Sequence, residues 1–240
     1  MSRFRRLRMR ARRIIAWSGA TAVAATVLVC GGVGAAITAR VGGKAGAPRS
    51  ATFPQPRLAD PEPILQLEDH TCGLLSLSSA YRAYGLSPEA KNLRFRLGVD
   101  RTAHPFDAES TGTLHPDLLR VLVQDGFRYH LLNPRRDDAA DLLDAHLDSG
   151  NLALLLIRRR ENGGLHWVLT DRLEQDALRI VDSLREDVYT EPGGEFIRDH
   201  VLSVIAVAPD GSRNEAALSD AHADGLAEMN RVRRRLRDRD

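Results

Sequence analysis

No charged residue interrupts the chain between Ile14 and Ala39, and a helix needs only about 20 apolar residues to cross a hydrocarbon core. The front of the chain is therefore long and apolar enough to span a membrane. Arg3, Arg5, Arg6, Arg8, Arg10, Arg12 and Arg13 precede the stretch, whereas only Arg40, Lys44 and Arg49 follow closely. This bias predicts a cytoplasmic N-terminus and a domain on the extracytoplasmic side of the cell membrane. The organisation expected is a basic N-terminus (1–13), a single-pass signal-anchor (14–39), a linker rich in Gly, Ala, Pro and Ser (40–59), a domain (60–209) and a charged C-terminal tail (210–240). A cleaved signal peptide is the alternative, because Ala45-Gly46-Ala47 has the small residues of a cleavage site, although the apolar run exceeds the usual 7–15 or so residues. Arg12-Arg13 also opens a twin-arginine reading, which Ile14-Ile15-Ala16 fits poorly.

Cysteine usage narrows the chemistry. Cys30 lies in the apolar stretch and reads as a packing residue, so Cys72 is the lone thiol of the polar part. In an oxidising compartment an unpaired thiol is bridged to another chain, buried and inert, or reactive. Cys72 stands in Gln66-Leu67-Glu68-Asp69-His70-Thr71-Cys72-Gly73, at the start of a predicted amphipathic helix whose stripe is Leu74, Leu77, Tyr81 and Tyr84. A free thiol titrates near pH 8.5, so a helix N-terminus and an imidazolium are needed to hold the anion at neutral pH. His166, opening His166-Trp167-Val168-Leu169-Thr170, supplies an imidazole. Asp182, closing Leu178-Arg179-Ile180-Val181-Asp182, supplies a carboxylate to orient that ring. Glu174, Gln175 and Asp176 read as the turn of a hairpin that sets residue 166 across from roughly residue 182, with Cβ atoms about 5 Å apart. Gln66 offers a neutral side-chain donor for a developing oxyanion.

This ordered set resembles the papain-like C39 peptidases, whose familiar members remove leader peptides from bacteriocin precursors. The resemblance rests on a Gln six positions before a Cys-Gly at a helix start (Gln66, Cys72, Gly73), a His before an apolar strand (His166) and an Asp ending the next strand (Asp182). Gly112-Thr113-Leu114, opening a helix that ends at Gly126-Phe127, is similar to the family's middle segment, and the likeness runs from about Ile64 to Ala208. Thr71 and Ser183 depart from it, standing where Asp and Pro are common. The resemblance implies a papain-like fold, a catalytic Cys72, His166 and Asp182 with Gln66 in the oxyanion hole, and a peptide or protein substrate. The sequence carries no transporter segment, so any exporter partner would be a separate protein.

The remaining patterns fix the class. Pro88 to Leu97, Thr113 to Gln124 and Asp137 to Leu147 read as helices, the second of these burying Leu114, Leu118, Leu119 and Leu122. Tyr129 to Leu132, Leu152 to Ile157, His166 to Arg172, Leu178 to Ser183 and Val201 to Ala208 read as strands, with Glu161-Asn162-Gly163-Gly164 as a turn. Helices followed by strands predict an α+β domain with an antiparallel sheet. His70, His104, His115, His130, His146, His200 and His222 lack metal-ligand spacing, so no metal and no cofactor are expected. His70 reads as a surface residue or as part of a substrate groove, Trp167 as core, and Gly193-Gly194 as loop. A net charge of +2 and the lack of a recognisable module argue against a nucleic-acid partner. Three functions stay open: a membrane-anchored cysteine peptidase, a thiol-dependent acyltransferase or amidase of the same fold, and a non-catalytic peptide-binding module.

Overall fold

Leu152 to Ile157 is apolar at every position, a pattern that a strand carries only when both of its faces are covered. In the computed structural model, which describes residues 57–102, 112–209 and 214–237, this segment is central. It forms β2 (Leu152–Arg158) within a six-stranded antiparallel sheet. The other strands are β1 (Arg128–Leu132), β3 (Leu165–Glu174), β4 (Ala177–Val181), β5 (Tyr189–Pro192) and β6 (Val201–Ala208), in the order β1-β6-β2-β3-β4-β5. The expected membrane span lies outside the described residues. Among those described, no helix is long and apolar enough to cross a membrane.

Helices cover both faces of the sheet. On one side α1 (Cys72–Ala83) packs against β3, and the Ser76 hydroxyl donates to the Trp167 carbonyl at 3.0 Å. Leu77, Tyr81 and Tyr84 of its stripe are fully buried, whereas Leu74 is half-buried. The helix α2 (Leu93–Leu97) follows, then α3 (His115–Gln124), whose early Pro116 suits a first turn with no N–H to satisfy. On the other face α4 (Ala139–Leu147) and α5 (Gly193–Asp199) enclose a core that includes Leu143, Leu155, Ile157, Val168, Ile180 and Phe196. The α+β architecture is the one expected.

Three differences from the expected elements have physical reasons. Asn92 adopts a left-handed conformation (φ 51°), which confines α2 to residues after it instead of letting it start at Pro88. Gly193 begins the short helix α5 where a loop was expected. The carbonyl and carboxylate of Asp176, in the β3–β4 turn, accept the N–H groups of Gly193 and Gly194 at 2.6 and 2.7 Å. Lastly, α6 (Glu215–Arg237) is a packed helix and not a free charged tail. Leu218, Ala221, Met229 and Val232 are buried, a spacing that the surrounding arginines mask in the sequence.

The helix α6 lies along the outer edge of the sheet. Leu131 of β1 donates its N–H to His222 Nδ1 at 3.1 Å, and Asn133 bonds Asp224 at 3.0 Å. Gly225 comes so close that a Cβ there would stand 2.3 Å from the Leu131 carbonyl oxygen. Domain structure therefore continues past residue 209.

Candidate active site

The first turn of α1 presents its N–H groups without local competition. Thr71, at the N-cap, makes no side-chain cap; its hydroxyl donates back to the Glu68 carbonyl at 2.8 Å. The turn holds no acidic residue, so the positive end of the helix is left for the Cys72 sulfur. Cys72 is free and buried. Gly73 is required by close packing, since a Cβ there would meet the Thr113 side chain at 2.6 Å and Trp167 at 3.0 Å.

Across from the thiol, His166 sits at the start of β3. Its Nε2 meets Asp182 Oδ1 at 2.6 Å in a buried contact, and Cys72 lies close enough to favour the charged ring. Burial pushes the imidazole toward neutrality, but the hydrogen bonds and charges of Asp182 and Cys72 outweigh it and lift the ring to about 9. Burial raises Asp182, and the His166 and Leu184 hydrogen bonds overcome that, leaving the carboxyl below its usual range. Leu184 N–H donates to Oδ1 at 2.8 Å, and the Tyr189 hydroxyl lies 3.4 Å from Oδ2. The histidine is thus held charged inside the protein.

The hairpin reaches this arrangement with a shifted register. Gln175 and Asp176, both at positive φ, form a two-residue turn, and the ladder pairs Leu169 with Val181. Residue 182 therefore falls opposite 168, and Asp182 reaches His166 diagonally instead of directly. The ladder also slips between Thr170 and Arg172, where Asp171 is the extra residue. Its buried carboxylate accepts from Arg179 at 2.6 Å and forms an ion pair with Arg57 at 3.1 Å, too bent for a hydrogen bond.

That ion pair ties the segment before α1 to the sheet. Arg179 also donates to the Pro61 carbonyl at 3.3 Å, and Gln66 N–H donates to the Ser183 carbonyl at 2.7 Å. Gln66 thereby sits beside the residue that follows Asp182. Its side-chain oxygen accepts from the Ser183 hydroxyl at 3.0 Å, and its amide nitrogen donates to the Glu68 carbonyl at 2.8 Å. One amide hydrogen is used in that bond; the other is available to a ligand. Asp171, Arg57 and Tyr189 went unread in the sequence. A charged residue inside the apolar β3 pattern was the signal for Asp171, and nothing marked the others.

His70 is half-buried between Glu68 and Asp100, at 3.3 and 3.6 Å. Those three side chains converge closely enough for a cation. Arg94 fills that role, bonding both carboxylates at 2.6 Å. Trp167 is core, its indole donating to the Thr113 carbonyl at 3.2 Å.

No protein-family model matches the sequence, and no curated protein matches it. Among solved structures, the chain is similar to a double-glycine-motif protease from an AMS/PCAT transporter, solved with its leader peptide (17% identity, 64% of this chain and 94% of that one, TM-score 0.45). It is also similar to the peptidase domain of Streptococcus ComA, a bi-functional ABC transporter of a quorum-sensing pathway (17%, 62% and 98%, TM-score 0.47). A protein described as a C39-like peptidase from Bacillus anthracis gives 16% identity over 63% of this chain and 96% of that one, with a TM-score of 0.47.

Proposed function

We propose that this chain is a C39-like cysteine peptidase that cleaves a peptide bond through Cys72, His166 and Asp182. The observation that carries the reading is the buried 2.6 Å contact between His166 and Asp182, on a ring whose charge is also favoured by the thiol at a helix N-terminus. The thiolate attacks the carbonyl carbon, and the negative charge that develops on oxygen is met by the Cys72 N–H and the remaining amide hydrogen of Gln66. His166 passes its proton to the departing amine, leaving a thioester on Cys72. The imidazole, now neutral, takes a proton from water as that water attacks the thioester. The acid product leaves, and the thiolate and imidazolium are restored.

Iodoacetamide titration of the purified chain tests the reading. Cys72 is expected to alkylate at pH 6 at least about ten times faster than a peptide thiol, because it stands at a helix N-terminus beside an imidazole. Equal rates, or loss of no internally quenched peptide from a mixed library on incubation with the chain, would remove the basis for it. The anchor over 14–39 is proposed on its uncharged length, and an extracytoplasmic domain on the arginine bias. Protease added to intact spheroplasts should digest the domain, and a protected domain would reverse that topology.

A further inference from the structure

Beside His166, a pocket of about 190 Å³ opens at one end of β2 to β5. Its floor is apolar, with Ile157 and Phe196, and Leu184 stands at the rim. His166 and Asp182 form one wall, and Cys72 does not line it. The position has a chemical meaning. In amide cleavage the carbonyl must lie against the sulfur and the oxyanion donors, while the amide nitrogen must lie against the imidazole that protonates it. Whatever is attached to that nitrogen leaves on the His166 side, into or across this pocket.

The pocket is cationic. Arg158, Arg159, Arg160 and Arg185 line it. Arg159 is matched by Glu161 at 3.5 Å and Arg160 by Glu191 at 3.4 Å, while Asp182 is taken by His166. Among the described residues, no carboxylate lies within ion-pair distance of Arg158 or Arg185, so neither guanidinium is taken up in a direct ion pair. Arg185 is also held in place. Its guanidinium stacks 4.1 Å above the Tyr189 ring, whose hydroxyl faces Asp182. Arg160 is held too, its Nε donating to His200 at 3.0 Å. A planar donor fixed in this way is prepared to take a carboxylate through two parallel hydrogen bonds.

We propose that this pocket is the subsite for the leaving fragment of the substrate and that Arg158 and Arg185 select a carboxylate on it. The assignment rests on the peptidase reading and extends it to substrate class: peptides acidic just after the cleaved bond. The carboxylate is either an acidic side chain or the C-terminus of a short leaving fragment. Both present the same group to the same two arginines.

The test uses the full chain with Cys72→Ala and four short peptides as leaving-fragment probes. These are Ala-Glu-Ala-Ala and Ala-Lys-Ala-Ala, each with a free or an amidated C-terminus, titrated calorimetrically at low salt. The amidated Glu peptide should bind about five-fold or more tightly than the amidated Lys peptide, given the modest strength of partly exposed ion pairs. Tight binding of both free-acid peptides, lost on amidation, would instead assign the terminal carboxylate. In Arg158→Glu/Arg185→Glu the preference should reverse, in Arg185→Ala it should weaken, and in the remote Arg82→Ala it should persist. Affinities within two-fold across all four peptides would overturn the proposal, as would an acidic preference unchanged by the double charge reversal. Cleavage of internally quenched peptides by the unmodified chain, measured alongside, separates the two readings. Acidic binding without cleavage removes the peptidase reading alone, and cleavage indifferent to acidic residues removes the subsite.

Discussion

His166, His115 and His146 are buried to nearly the same degree, at 3%, 6% and 1% exposure, yet their rings are driven in opposite directions. His166 is lifted to about 9 against its own desolvation by Asp182 and Cys72. Burial holds His115 at about 4, with Arg233 adding to the effect. Burial likewise depresses His146 to about 4, although the ring hydrogen-bonds the Leu152 carbonyl at 3.0 Å. Depth alone therefore does not decide the charge of an imidazole; the presence of an anionic partner does. The rim of the sheet carries a ring driven toward its charged form, and the core carries rings driven toward neutrality.

Acid breaks the core side of this contrast first. An unfolded histidine titrates near 6.5, so for His115 and His146 the unfolded chain binds more protons between about pH 6.5 and 4, and stability falls as pH is lowered through that window. His166 has the opposite sign: its stabilisation is complete below about 6.5 and is lost as pH rises through about 9. From these three rings, the unfolding free energy from urea titrations should peak near pH 6.5 and fall on the acid side. A flat profile between pH 4.5 and 6.5 would contradict the neutral core rings. His115→Phe should preserve the edge contact with Trp167, whose ring centroid is 4.7 Å away, and remove roughly half of that acid loss. An unchanged acid slope would assign the loss elsewhere.

The charged side is probed by Asp182→Asn. Without the carboxylate, burial depresses the ring, and the alkaline limb of kcat/KM should move down from near pH 9 while kcat falls about ten-fold or more. A limb that stays near 9 would show that Cys72 alone holds the proton. The smallest effect is expected for Ser183→Ala, which frees the Gln66 side-chain oxygen. A lost hydrogen bond worth about 1 kcal/mol should lower kcat a few-fold with little change in KM. An equal rise in KM would assign Ser183 to substrate binding.

The residues that meet at the site were legible because each is the end of a readable element. Cys72 opens an apolar helical stripe, His166 opens an apolar strand, and Asp182 closes one. Local periodicity locates such ends to within a residue or two. Register was harder to read: the hairpin turn was located, but the two-residue offset of Asp182 depends on backbone dihedrals at Gln175 and Asp176 and on the bulge at Asp171. The contact made by Ser183 was hidden because its partner lies far away in sequence, at Gln66. The C-terminal helix was obscured by its own arginines, since widely spaced Leu218, Ala221, Met229 and Val232 carry its buried side.

That helix bears on how the outer edge of the sheet is protected. A bare outer strand at β1 would offer unsatisfied N–H and C=O groups to any extended segment, including the same strand of a neighbour. His222, donating no backbone of its own, blocks such pairing at Leu131, and Gly225 lets the helix press against the strand too closely for another chain to enter. The arginine-bearing helix thus covers an edge that would otherwise be open to pairing.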